Sequence, residues 1–140
     1  MIKAEDLRIG DIVRVSRGLV IRKGTVCTVS DIRPKITFWK KKGIAILIPN
    51  KDNHEPWEVW CDDIEGVLLT PELLEKNGWE RDELVSYIYG HDAHNIEVIC
   101  TPNSECVDVT LKGDTLHRIK YVHELQHILW ALGLDANLKV

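Results

Sequence analysis

The chain reads as an α+β protein, with an SH3-like small β-barrel unit first, then a short helix, antiparallel strands and a C-terminal packing helix. Three observations predict this. Short runs of alternating apolar and polar residues, broken by turns, fill the first half. A compact helix signature stands at Thr70–Gly78. An apolar stripe of helical period runs through the last quarter. At 140 residues the chain suits one structural unit with two parts, 1–69 and 70–140.

Leu7 to Val15 has the alternation of a half-buried strand after a Gly10-Asp11 turn. Gly18 and Gly24 punctuate the next turns, and Thr25 to Ile32 alternates again, with Cys27 as a small buried residue. Ile36–Trp39 and Ile44–Ile48 flank Lys40-Lys41-Lys42-Gly43, which predicts a hairpin with a basic tip. Trp57–Cys61 adds another strand. Five or six short strands in about sixty residues fit a small barrel.

In the second part, Thr70 can cap a helix, Pro71 suits its first position and Gly78 can end it. Leu84–Tyr89, Asn95–Cys100 and Val107–Leu111 are expected strands of a meander. A final helix is expected over 116–132, beginning near Asp114 or Thr115 and stopped by Gly133.

Composition narrows the function. No apolar run approaches the ~20 residues that span a bilayer, and the charged opening Met1–Asp6 has no signal-peptide character, which predicts a cytoplasmic protein with no membrane partner. Cys27, Cys61, Cys100 and Cys106 form no CxxC pair, so neither a zinc ribbon nor a redox motif is present. A hairpin could bring Cys100 near Cys106, although free thiols are expected. No phosphate-cradling glycine loop and no GxSxG nucleophile stands in the chain.

The net charge of −4 is unevenly divided. Residues 1–49 carry eleven Lys/Arg against four Asp/Glu, a net +7, and the remainder carries seven against eighteen, a net −11. That split predicts either an anionic partner for the first part or attraction between the parts. The candidate nucleic-acid or protein surface is Arg14, Arg17, Arg22, Lys23, Lys40, Lys41 and Lys42, interleaved with Phe38 and Trp39. Cations neutralise phosphates and aromatic rings stack on bases; the competing reading is a solvated charged face.

The competing catalytic motif is His123-Glu124-Leu125-Gln126-His127, an HExxH. On a helix it sets two imidazoles one turn apart as zinc ligands, with Glu124 as general base of a metallopeptidase. On a wheel with Ile119 at 0°, Val122, Leu125, Leu129 and Leu132 cluster between about 220° and 300°, whereas His123 and His127 fall near about 40° and 80°, on the polar flank. A third protein ligand is also required. Trp130 and Gly133 occupy the positions where extended zinc-peptidase motifs carry a glycine and their last ligand. The expectation is therefore no cofactor and no catalytic residue, with zinc on His123 and His127 as the alternative.

The stretches Ile64–Trp79 and Ile119–His127, with the opening Leu7-Arg8-Ile9-Gly10-Asp11, resemble a family of small uncharacterised proteins encoded by phages and prophages of Bacteroides-type gut bacteria. At the positions of Glu124 and His127 that family tends to carry Gln and Asn. The resemblance thus implies a packing role for this helix, centred on Tyr121, Val122, Leu125 and Leu129. It implies a non-enzymatic accessory protein and brings no activity with it.

Overall fold

A computed structural model describes residues 2–17, 21–36, 41–49, 55–91 and 95–140. They form two compact units, Met1–Val67 and Leu68–Val140, within a mixed α+β chain of antiparallel sheets and two helices.

The first unit contains β1 (Ile12–Val15), β2 (Val26–Ile36), β3 (Lys41–Pro49), β4 (Trp57–Trp60) and β5 (Ile64–Gly66). A 3-10 turn at Cys61–Asp63 joins the last two strands. The sheet order is β4-β3-β2-β1-β5, antiparallel throughout. Alternation places Val13 and Val15, Cys27 and Val29, and Ala45 and Leu47 in one core, closed by Ile2, Leu7, Ile21, Cys61 and Ile64.

Two details depart from the sequence expectation. The first strand begins at Ile12 rather than Leu7, because residues 8–11 turn: the buried Asp11 carboxylate accepts from the Arg8 amide at 2.8 Å, and Asp11 N–H donates to Arg8 O. The β2–β3 hairpin pairs Ile36 with Lys41 and Lys35 with Lys42. Lys41 and Lys42 therefore belong to a strand, and the connection 37–40, with Phe38, Trp39 and Lys40, lies outside the described residues. Along β2, Ser30 is an extra residue between the Val29–Leu47 and Asp31–Ile46 pairs. Its hydroxyl donates to Ile46 O at 3.1 Å.

The second unit holds α1 (Pro71–Lys76), β6 (Glu80–Arg81), β7 (Ile88–His91), β8 (Ile96–Ile99), β9 (Val107–Leu111), β10 (Asp114–Ile119) and α2 (Val122–Ala131). Its strands form a sequential antiparallel meander, β10-β9-β8-β7-β6. Ile96, Val98, Val107 and Val109 alternate into its core beside Leu74, Trp79, Val122, Leu125 and Leu129.

The α1 signals act as read: Thr70 Oγ1 accepts from Leu73 N–H, and Pro71 opens the helix. Both helices end in one way. Gly78 and Gly133 adopt positive φ, and the next amides reach back, Trp79 to Leu74 O at 3.0 Å and Leu134 to Leu129 O at 2.8 Å.

The final helix is shorter than expected. Lys112 and Gly113 both have positive φ and form a two-residue turn, so Asp114 pairs with Leu111 and the chain returns as β10. Asp114–Ile119 is thus a strand, not the first turns of a helix. The expected strand over Leu84–Tyr89 also starts later, at Ile88. Asp82 Oδ1 accepts from the amides of Leu84 and Val85 and holds that stretch in a turn with Leu84 exposed. No helix among the described residues is long and apolar enough to cross a membrane.

Candidate functional site

The basic residues of the first unit divide by their partners. Arg14, on β1, sits opposite Glu65 of β5, and its Nε donates to that carboxylate at 2.9 Å. Arg33 is paired with Asp31 at 2.7 Å and Lys3 with Glu5 at 3.7 Å. The Arg33 hydrogen bond and the Ile32 amide together hold the Asp31 carboxyl below the usual carboxylate range. Arg14 and Arg33 are thus engaged within the sheet, and Lys3, ahead of it, by its neighbour Glu5.

Arg17, Arg22 and Lys23 differ. All three are exposed on the β1–β2 connection and make no ion pair among the described residues. A tight turn shapes their segment, in which Thr25 donates both its amide and its hydroxyl to Arg22 O, at 3.1 and 2.7 Å. Of the candidate surface, then, Arg17, Arg22 and Lys23 share one connection and Arg14 is ion-paired. Lys41 and Lys42 are placed in β3 by their backbone.

The HExxH residues serve the start of α2. Glu124 is its third residue, and Oε2 accepts from the amides of Lys120 at 2.7 Å and Tyr121 at 2.8 Å. This is the carboxylate half of a capping box. It satisfies two main-chain donors and complements the positive end of the helix. Oε2 is thus committed to the backbone, where a general base would direct an oxygen at a water.

His123 is only 5% exposed, not on a polar flank. The buried positions Val122, His123, Leu125, Gln126 and Leu129 centre the inward face between Gln126 and Val122. That face is rotated toward His123 from the leucine stripe. Leu132, counted in the wheel's stripe, lies past the helix and is 39% exposed. The His123 ring stacks on Tyr121 at 5.7 Å and meets the His127 ring edge-on at 5.8 Å. Of the other histidines, His117 is exposed on β10 and His91 packs edge-on against Trp79 at 5.4 Å; His54 and His94 lie outside the described residues. Among the described residues no group of three or more His, Cys, Asp or Glu side chains could hold a metal ion.

The cysteines form no disulfide among themselves. Burial pushes the thiols of Cys27 and Cys100 up to about 11, which keeps both protonated and poorly nucleophilic.

Sequence reasoning missed two amides of the second unit. Asn77 donates through Nδ2 to Lys139 O at 2.9 Å and accepts at Oδ1 from Lys139 N–H at 2.6 Å. Gln126, on α2, donates to Ala136 O at 3.1 Å. Asn77 before Gly78 signals a helix end, but nothing local announces a partner 62 residues away.

Comparison with protein-family models, with curated proteins and with solved structures finds no match.

Proposed function

We propose that this chain is a non-enzymatic accessory protein of phage or prophage type that acts by binding, with nucleic acid as the partner its first unit fits best. In this reading the first unit is an SH3-like β module. Support comes from the order β4-β3-β2-β1-β5, with a 3-10 turn between β4 and β5, around a single core. The phage assignment rests on the resemblance carried by Ile64–Trp79 and Ile119–His127.

The observation that carries the binding surface is the exposed Arg17–Arg22–Lys23 group, unengaged by acidic partners among the described residues, in a part of the chain with net charge +7. Cations not neutralised within the fold release phosphate counterions on binding. By sequence, Phe38, Trp39, Lys40, Lys41 and Lys42 add further cations and rings able to stack on bases to the proposed binding residues.

The test is titration of the full chain with labelled duplex DNA and single-stranded RNA at low and moderate salt. Binding that weakens steeply with salt supports the reading. No binding at low salt, or affinity indifferent to salt, overturns it and favours a protein partner.

A further inference from the structure

We propose that Asn77-Gly78 is a latent self-modification site, at which Asn77 deamidates with water as the only co-reactant once the segment Leu134–Val140 releases it. The chemistry lies in the residue pair, the single Asn-Gly step of the chain. The Gly78 nitrogen attacks Cγ of Asn77 and a C–N bond forms. The Cγ–Nδ2 bond breaks, and Nδ2 departs as ammonia with the proton from Gly78. Water then opens the succinimide ring at either carbonyl, leaving aspartate or isoaspartate. Glycine in the second position favours closure, since it has no Cβ to crowd the attacking nitrogen and turns readily into the required conformation.

The folded chain opposes each part of that step. Ring closure requires the Gly78 nitrogen to eclipse Cβ of Asn77, and the C-cap ψ of 16° holds it well away. The Gly78 amide donates to Glu75 O at 3.0 Å. The carboxamide is immobilised as well. Its Nδ2 donates to Leu73 O at 2.7 Å and to Lys139 O at 2.9 Å, and Oδ1 accepts from the Lys139 amide at 2.6 Å. Two of these three side-chain bonds go to Lys139, so the segment that carries Lys139 is the gate.

That gate is lightly held. Leu134–Val140 has no regular secondary structure; its apolar residues Leu134, Ala136, Leu138 and Val140 are only half-buried, and Asp135, Asn137 and Lys139 are exposed. Such a segment opens at a lower free energy than core strands and helices. Opening removes the tertiary clasp from the end of α1, a helix of six residues, too short to hold its last turn unaided. Asn77 then reaches the cyclising geometry. The reaction is one-way. A carboxylate at position 77 has no donor for Leu73 O or Lys139 O, so the clasp does not re-form.

The experiment incubates the full chain in mildly alkaline buffer and follows conversion of residue 77 by peptide mass mapping, with the exposed Asn103-Ser104 step as internal reference. Asn77 of the folded parent is expected to convert about tenfold more slowly than in urea. Leu138→Asp detaches the segment and leaves Asn77 and Gly78 intact. In that variant, conversion should rise about fivefold above the folded parent at an unchanged near-UV signal. Native-state hydrogen exchange of the parent chain gives a second reading, and decides alone if the variant does not fold. The Lys139 amide should exchange well before that of Leu125. Three outcomes overturn the proposal: a parent that converts as fast folded as in urea, a folded Leu138→Asp that converts no faster than the parent, or a Lys139 amide as protected as that of Leu125.

Discussion

At the residue scale, Glu124 decides between two chemistries. As a capping residue it contributes to the stability of the helix start. Glu124→Ala is expected to cost about 0.5–2 kcal/mol in denaturant unfolding, the range for losing a helix cap, and Glu124→Gln less, because an amide oxygen still accepts. An unchanged midpoint for Glu124→Ala would contradict the capping role.

The cysteines offer a second residue-scale check. With its pKa raised to about 11 by burial, Cys27 should resist thiol reagents at pH 8 and react only as fast as the chain unfolds. Asp108 gives a third. Arg118 donates to it at 2.8 and 3.1 Å, and those hydrogen bonds depress its pKa. A depressed carboxylate stabilises the fold above its unfolded pKa, and the contribution is lost as pH falls through the folded value. An NMR titration should find Asp108 below the ordinary range and restored by Arg118→Gln.

At the element scale, α2 is a core helix whose inward face runs through Val122, Leu125 and Leu129. Leu125→Ala, at a site with no exposure, should cost about 2–5 kcal/mol, whereas Leu132→Ala should fall within about 0.5 kcal/mol of the parent. Equal losses at both positions would restore the leucine stripe drawn from the wheel.

The same element shows what was legible in the sequence. Thr70, Pro71 and Gly78 marked α1 because caps are local chemistry. The start of α2 was hidden because Tyr121, its N-cap, is not a capping residue type, so the box showed only its glutamate half. Lysine is an uncommon first residue of the turn at Lys112-Gly113, so the sequence there does not announce the return of the chain as β10. The wheel set His123 on the polar flank, yet tertiary packing buries it, and Gln126 with it.

At the scale of the whole molecule, charge is the property that most separates the two halves. The first 49 residues carry +7 and the rest −11, and in the first unit Arg14 and Arg33 are paired with Glu65 and Asp31, whereas Arg17, Arg22 and Lys23 of the β1–β2 connection are exposed with no ion pair among the described residues. The uneven composition was readable at once. Which cations are engaged was not, since Arg14 and Glu65 are 51 residues apart and meet only through the β1–β5 register.

The most direct test of the binding account is the salt dependence of duplex DNA affinity for the parent chain and for Arg17→Glu/Arg22→Glu/Lys23→Glu. If the first unit neutralises about six phosphates, log K against log salt has a slope of about −5. The triple variant should bind far more weakly and with a shallower slope, at an unchanged melting temperature. A parent chain that does not bind at low salt, or a folded triple variant with the same affinity and slope as the parent, would contradict the account.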